Sequence, residues 1–583
     1  MEAFDRTKSR YVSTLLILAV IALYWPTLNF LPLSYDDPLY LTGNKRVLAG
    51  LTWKSVQWAL TSCEYFYHPV TWLTLMFDST VSRANPVAFH LTNLWLHALN
   101  VAFLFIGLYR VSGRLIPALF VAALFAFHPV NVESVAWISE RKGLLAACFG
   151  SLAFNCYLTH IARPSLARYL LICFLFILSL LSKPSTAPLP LFLAAAYALR
   201  LRNHYASRPR PRAAFLLECA PFLIFATIAL LLAIYTEKQV GSASTSLPFG
   251  YRLQHAIVAY TFYIGKTIWP TALSPHYPLP NVWPPVLVVC SAVVLCLLSV
   301  LIATLSRSST NRVIALGWLF YLILLIPAIG LIQIGSHAMA NRYLYIPMIG
   351  ILIAIIFPVF NRWPGSRISI GTAAAVSLLL WVRTAAHIPV WRNSQSLFTY
   401  AVSHHPSPLS YIHLGISYRN QGDGKRALDC FKKALQIRPD NPYASVNAAV
   451  CLNALGRSGE ALAYLERTMV SHPGLPEAYS FAAWLLSTNP NEGHRNGNRA
   501  IALAEKAIEL TETQPGVLDN PAHLRSLAAA RAEVGDWIGA VESVVKAATL
   551  ARSLQQFTPV AALDREYSSY MHHKPVREYG TYY

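Results

Sequence analysis

The chain has 583 residues, of which 55% are hydrophobic and only 13% charged, and its mean hydropathy is +0.42. A chain this apolar excludes an ordinary water-soluble globule and predicts a multi-pass membrane protein. Its 47 Lys and Arg outnumber 27 Asp and Glu by 20, an excess assigned first to cytoplasmic loops; without a basic–aromatic stripe it gives no ground for nucleic-acid binding.

In chain order, Arg6, Lys8 and Arg10 precede an apolar run at about 11–30 that lacks a small-residue cleavage site. It is read as a retained first span. Further apolar segments fall at about 88–110, 115–127, 143–160, 167–182, 187–201, 213–235, 283–305, 312–332, 343–360 and 368–387, giving about eleven spans. The stretch 252–270, "RLQHAIVAYTFYIGKTIWP", carries Gln254, His255 and Lys266. It is expected to fold into the outer face, with twelve spans if it crosses fully. The basic N-terminus and "RLRNHYASRPRPR" (200–212) belong in the cytoplasm. A first loop at about 31–87 then lies outside, as does the C-terminal part. Most of the nine cysteines, including Cys148, Cys156, Cys173, Cys290 and Cys296, sit in apolar segments without metal-ligand spacing and read as small buried hydrophobes.

From about 391 the composition turns soluble and helical, and a period appears. Leu414-Gly415, Tyr418, Gly422, Ala427, Phe431, Ala434 and Pro439 recur 34 residues on as Ala448-Ala449, Leu452, Gly456, Ala461, Leu465, Thr468 and Pro473. The spacing returns at Leu527-Ala528, Arg531, Gly535, Ala540, Val544 and Ala547, with a unit at about 479–510 between them, lengthened by "TNPNEGHRNGNR". This resembles the tetratricopeptide repeat. The expected organisation is a membrane unit over 1–390, about four repeats stacked as an α-solenoid over 391–550, and a capping tail over 551–583. The fold class is all-α throughout.

Ionisable groups in or beside spans are rare and usually functional. Asp36 and Asp37, in "LPLSYDDPLYLTGNKR" (31–46), adjoin an apolar segment at the outer edge; Asp-Pro also makes a turn. In "VAFHLTNLWLHALN", His90, Asn93, His97 and Asn100 form one polar stripe. The deeper pair is expected to bond between helices, and His90 to approach an outer site. In "FHPVNVESVAWISERKG", a continuous helix would align Glu133, Trp137, Glu140 and Arg141. In "GSHAMANRYLYIP", His337, Arg342, Tyr343 and Tyr345 lie at a span edge, and Lys266 adds a cation. Cations there suit a phosphate. No P-loop, no G-x-G-x-x-G after a strand and no H-E-x-x-H is present, so a donor is expected through the lipid phase. No repeated halves mark a transporter.

The ordered set "SYDDP", "HPVTWLTLMFD", "FHLTNLWLHALN", "FHPVNVESVAWISERKG", "LLSKP", "LSPHYPLP" and "PAIGLIQIGSHAMANRYLYIP", followed by the repeats, resembles the transmembrane-and-tetratricopeptide-repeat family of O-mannosyltransferase-like proteins, particularly its bacterial branch. The resemblance implies a GT-C-like helical membrane bundle that uses a polyprenyl-phosphate sugar. It places the family's first-loop acid pair on Asp36 and Asp37, its E-R-K segment on Glu140, Arg141 and Lys142, and its R-Y pair on Arg342 and Tyr343. The chain departs from the pattern at Gly143 and Asn341, where an acid is usual.

The expectation is therefore an inverting glycosyltransferase. Asp36 or Asp37 takes the proton of a Ser or Thr hydroxyl on an exported protein. Arg342, Lys266, Arg141 and Lys142 hold the donor phosphate, and His68, His90, His128, Glu133, Trp137, Glu140 and Tyr343 line the sugar or acceptor. No cofactor beyond the lipid-linked sugar, mannose or another hexose, is called for, and a divalent metal is not indicated. The repeats would present the acceptor polypeptide. The rival readings are a catalytically decayed membrane-anchored repeat scaffold for envelope proteins and a transferase acting on glycans or lipids. No Asn has Ser or Thr two residues later, so the chain offers no N-glycosylation acceptor. That favours a bacterial inner membrane, with the site on the periplasmic side, over the endoplasmic reticulum.

Overall fold

Helices make up nearly all the regular structure of the computed structural model, which describes residues 5–63, 66–198, 212–239, 243–244, 247–307, 312–331, 333–334, 337–513, 520–553 and 557–578. Among the described residues the strands are four short pieces in two antiparallel pairs, Ala243–Ser244 with Gln333–Ile334 and Tyr277–Pro278 with His337–Met339. The chain divides into two compact units, Met1–Tyr400 and Ala401–Tyr583.

In the first unit a helix forms at every expected apolar segment: Arg6–Tyr24, Pro86–Ser112, Leu115–Ala126, Arg141–Ala162, Leu166–Ser182, Leu189–Ala198, Arg212–Gln239, Pro285–Leu305, Arg312–Leu325, Met348–Arg362 and Arg367–His387. Among the described residues, six helical stretches are long and apolar enough to cross a membrane: Arg6–Asn29, Pro86–Ser112, Ile138–Ala162, Leu217–Lys238, Pro285–Leu305 and Arg367–Trp391. The pair Leu115–Ala126 and Pro129–Ala136, bent by 49°, makes a seventh if taken together. Leu166–Ser182, Arg312–Ala328 and Met348–Arg362 are apolar but shorter than the ~20 residues that a full crossing takes. The ambiguous 252–270 stretch is a helix, Phe249–Ile268, that buries His255, Ala256, Val258, Ala259, Tyr263 and Thr267. The basic 200–211 stretch lies outside the described residues.

Helix Pro86–Ser112 is the hub of this unit, and its polar stripe explains why. Asn93 donates to the Trp137 carbonyl at 3.0 Å, and Asn100 donates to the Leu144 carbonyl and the Tyr345 hydroxyl, both at 3.1 Å. The Tyr345 hydroxyl in turn reaches His97 Nδ1 at 2.7 Å, leaving Nε2–H to donate to the Ala126 carbonyl at 3.3 Å. Each bond answers a polar atom that burial would otherwise penalise. Helices Arg312–Leu325 and Met348–Arg362 meet through Gly317 and Gly350, where a β-carbon on either would strike the other's carbonyl oxygen.

The second unit contains four helix pairs: Pro408–Asn420 with Gly424–Ile437, Pro442–Ala454 with Ser458–Ser471, Pro476–Thr488 with Gly497–Thr513, and Pro521–Glu533 with Trp537–Ser553. The matched small residues are where helices touch. A β-carbon at Gly415 would sit 2.6 Å from the Phe431 ring. Gly422, Gly456 and Gly535 take φ of 82°, 74° and 82° between paired helices, a conformation costly for side-chain-bearing residues. In the lengthened third connection, Arg495 bonds Glu533 at 2.9 Å and the Asn489 carbonyl at 3.1 Å. Helix Phe557–Met571 follows the fourth pair.

Candidate active site

The loop after the first span is pinned by Asp37, which is 1% exposed. Its Oδ2 accepts from the Leu33 amide at 2.7 Å, and its Oδ1 accepts from the Ser139 amide at 3.1 Å and from the Ser139 hydroxyl. Burial pushes this carboxyl up to about 6, Asp36 adds to the rise, and the three donors oppose it. Asp36 faces the other way. Its side chain is 37% exposed, and its Oδ2 lies 3.8 Å from Lys142 Nζ.

Beyond Asp36, three cations surround a buried carboxylate. Glu140 meets Lys183 at 3.1 Å, Lys142 at 3.4 Å and Arg342 at 3.5 Å. Arg342 also reaches Glu133 at 2.7 Å. With Asp36 counted, three cations face three carboxylates, Asp36, Glu133 and Glu140, so the cluster is close to balanced in charge. Burial opposes the charge on Arg342, but Glu133, Tyr343 and Glu140 outweigh it and hold the guanidinium above its ordinary value. Burial likewise lowers Lys183, with Glu140 resisting.

Aromatic rings wall the cluster. The Arg342 guanidinium lies 5.3 Å from the Trp137 ring and 5.2 Å from Tyr343, Lys142 lies 4.3 Å from Tyr40, and Tyr35 stacks on Trp137 at 5.1 Å. Such contacts favour cations that are partly stripped of water. The Tyr343 hydroxyl meets His337 Nε2 at 2.9 Å. His68 meets the Tyr40 hydroxyl at 3.3 Å. Burial, with Lys142 and Lys183 nearby, lowers His68 to about 3, so the ring is neutral at any ordinary pH.

The two departures from the family pattern have defined surroundings. Asn341 donates to Glu133 at 3.1 Å and to the Ser274 carbonyl at 2.9 Å, and accepts from the Tyr277 hydroxyl at 3.0 Å. An ionised Asp could donate neither bond. At Gly143 a β-carbon would lie 3.1 Å from Glu140 Oε2 and 4.0 Å from Lys183 Nζ, so position 143 borders the cluster.

Of the residues expected from sequence, Asp36, Glu133, Trp137, Glu140, Lys142, Arg342 and Tyr343 come together, with His68 at their edge. Four do not join them. Arg141 is fully buried and pairs with Asp78 at 2.6 Å while donating to Asn93 and to the Thr74 and Phe89 carbonyls. The continuous helix assumed for 128–143 is broken at Trp137, whose ψ of 120° is extended, so Arg141 leaves the face that Glu140 occupies. Lys266 donates to the Thr271 carbonyl at 2.6 Å and the Ala272 carbonyl at 3.4 Å, binding the chain just beyond its own helix. His128 is buried: it accepts from the Val130 amide at 3.3 Å, and its Nε2 lies 3.0 Å from the Thr267 carbonyl. His90 is buried with its ring against Phe30 at 6.3 Å. Asp37 anchors rather than faces the cluster.

Sequence reasoning missed Lys183, Ser139 and Asp78. Lys183 lies in "LLSKP", and nothing in that segment marks Glu140, 43 positions away, as its partner. An apolar cavity of ≈ 350 Å³, lined by Asn100, Phe154, Phe192, Phe320, Tyr345 and Phe357 among others, lies within the same unit. Thr186 and Tyr345 on its wall stand three residues beyond Lys183 and Arg342 in the chain. Among the described residues no group of three His, Cys, Asp or Glu side chains is placed to hold a metal ion.

Fold and site together define a polytopic helical membrane protein with a walled cation–carboxylate cluster, joined to a tetratricopeptide-repeat solenoid. The tetratricopeptide-repeat family model matches residues 418–485. Among curated proteins, the chain is 23% identical over 495 residues to protein O-mannosyl-transferase TMTC3 of Mus musculus, covering 77% of this chain and 53% of the relative. It is 25% identical over 533 residues to Tmtc3 of Drosophila melanogaster, covering 76% and 56%. Human TMTC4 is 34% identical over 145 residues, 21% of this chain and 20% of the relative. The resemblance to the O-mannosyl-transferase TMTC proteins thus runs over about three quarters of the chain, which spans about half the length of the TMTC3 relatives. Among solved structures, MamA from Desulfovibrio magneticus RS-1 is 23% identical with a TM-score of 0.22, covering 27% of this chain and 83% of that chain. Yeast Tom70 is 12% identical with a TM-score of 0.23, covering 81% and 91%.

Proposed function

We propose that this protein is a membrane glycosyltransferase that moves a hexose, mannose first among the candidates, from a polyprenyl-phosphate donor to Ser or Thr hydroxyls of an exported polypeptide. The observation that carries the reading is the placement of a partly exposed carboxylate, Asp36, 3.8 Å from Lys142 at the edge of the Lys142–Lys183–Arg342 cluster. The names of the relatives support the same class.

An alcohol is a weak nucleophile at neutral pH. Asp36 accepts the hydroxyl proton as the oxygen bonds to the anomeric carbon, a service worth about 10²–10⁴ in rate. The carbon–oxygen bond to the lipid phosphate breaks, and the phosphate takes the electron pair. Lys142, Lys183 and Arg342 meet that growing charge. A unit pair at ~4 Å and an effective dielectric of ~20 is worth about 4 kcal/mol. One displacement with one base inverts the anomeric centre. Asp37 holds Asp36 in place through Leu33 and Ser139. The apolar cavity offers room for part of an isoprenoid chain, and the repeats receive the acceptor. A bacterial inner membrane with the cluster on its periplasmic side is the proposed setting.

The test is purified protein in detergent with a polyprenyl-phosphate mannose and a Ser/Thr-rich peptide. Mannosyl-peptide that disappears in Asp36→Asn is the expected result. No donor turnover across a panel of lipid-linked hexoses overturns the reading and leaves the membrane-anchored repeat scaffold.

A further inference from the structure

After helix Phe557–Met571 the chain turns at His572–Lys574, where the Lys574 amide donates to the Ser569 carbonyl at 2.9 Å and His573 takes a φ of 55°. Residues 574–578 then run back over the first helices of the fourth and third repeats. The Glu578 amide donates to the Thr488 carbonyl at 3.0 Å. Arg577 donates to the Ser487 carbonyl at 2.9 Å and pairs with Glu533 at 2.5 Å. Glu578 lies 3.5 Å from Arg525, and Val576 packs against the apolar cores of both halves of the solenoid.

The residues beneath this strap form one surface. Trp484 and Thr488 are spaced four apart on their helix, and Arg525, Ala529 and Glu533 are spaced four apart on the next, so each set lines one face. These two helices pack against each other across the repeats, on the side where a repeat solenoid carries its binding groove. The surface offers an apolar floor, a cation and a carboxylate. Arg525 stacks over Trp484 at 4.1 Å and pairs with Glu566 at 2.6 Å. The strap meets that surface as an extended peptide would, by a main-chain bond, one apolar side chain and two charges of opposite sign.

We propose that residues 574–578 are a built-in, displaceable occupant of the repeat groove, and that the groove's partner is an extended polypeptide segment reading apolar–basic–acidic, as Val576-Arg577-Glu578 does. Helix Phe557–Met571 is packed on the fourth pair through buried Leu563 and Tyr570, whereas the strap's hold is short: one main-chain bond, Val576 and the ion pairs of Arg577 and Glu578, with Arg577 exposed. A tethered segment has an effective concentration of order millimolar, so an intrinsic Kd of order 100 µM would keep the groove filled about nine-tenths of the time. A competing peptide then binds about tenfold more weakly. The inference rests on the repeats docking polypeptide and needs nothing from the transferase chemistry.

The experiment uses the full chain in detergent and a fluorescent synthetic peptide, His-His-Lys-Pro-Val-Arg-Glu, read by anisotropy. Replacing Arg577→Ala and Val576→Asp together should raise peptide affinity about tenfold. Glu533→Arg in that background should abolish binding, and a peptide with Glu in place of its Arg should restore it. Affinity unchanged within twofold overturns the proposal. Hydrogen exchange on the unaltered protein is a second test that needs no variant to fold. A Glu578 amide that exchanges orders of magnitude faster than the repeat core supports release, and one protected to the level of that core overturns it. Failure of the transferase reading would leave both measurements unaffected, because neither uses a sugar donor.

Discussion

Lys183 reaches across 43 positions of sequence to lie 3.1 Å from Glu140, and that pair ties the end of one apolar helix to the start of another. In the proposed reaction Lys183 would meet the departing phosphate; its charge is favoured by Glu140 and opposed by burial. Lys183→Met should lower kcat/KM for the lipid-linked donor by about 10²–10³, in keeping with loss of ~4 kcal/mol of screened attraction. Lys183→Arg should recover part of it. Steady-state kinetics with varied donor gives the answer, and wild-type kinetics in Lys183→Met would remove this lysine from the site.

The adjacent acids should separate experimentally. Asp36→Asn should cost about 10²–10⁴ in turnover with no change in melting temperature. Asp37→Asn should lower the melting temperature, because its amide turns an N–H toward a donor that the carboxylate accepted, a loss of about 1–3 kcal/mol. Scanning calorimetry beside the transfer assay distinguishes them.

Asp37 also makes a pH prediction. Its folded value, about 6, lies above the ordinary 3.8, so folding favours the protonated form. That contribution is complete below about pH 4 and is lost as pH rises through about 6. The advantage of wild type over Asp37→Asn in melting temperature should therefore be largest near pH 4 and shrink by about pH 7. A difference that grows over the same range would contradict the assigned direction.

Asn341→Asp restores the acid usual in the family and should destabilise this chain. It removes two donated bonds, one to Glu133 at 3.1 Å, and sets two carboxylates together, a cost of about 1–3 kcal/mol or more. A melting temperature equal to wild type would show that the network repacks.

Arg141→Met should cost about 3–5 kcal/mol by stranding Asp78 in the interior. Once stability is restored, for instance by pairing it with Asp78→Leu, donor KM should be unaffected. A raised KM in the stable double variant would return Arg141 to the donor site.

These residues show what the sequence made legible. The repeats could be read because their contacts are local: Gly415 and Phe431 lie within one 34-residue unit, so the spacing itself records the packing. The apolar helices could be read for the same reason. The site could be read only in part. Glu140, Lys142 and Arg342 were identifiable as charges that a membrane rarely tolerates, but their grouping is long-range. Arg141 lies away from the cluster because the chain is extended at Trp137, which a helical wheel cannot foresee. Lys183 was overlooked because its meaning lies in Glu140. Asp36 and Asp37 look equivalent as neighbours, and only Ser139, about a hundred positions on, separates the buried anchor from its partly exposed neighbour.

The contact of Gly317 with Gly350 carries a mechanical consequence. Two helices mated main chain to main chain behave as one stiff plate, and Arg342 is mounted just ahead of its second half. The main chain that carries Arg342 is thus set by peptide geometry, and ion pairs to Glu133 and Glu140 then hold its guanidinium. A lipid tail entering the bundle, as the proposed reaction requires, would therefore have to part other seams, those closed by side chains alone, because this one has no slack to give.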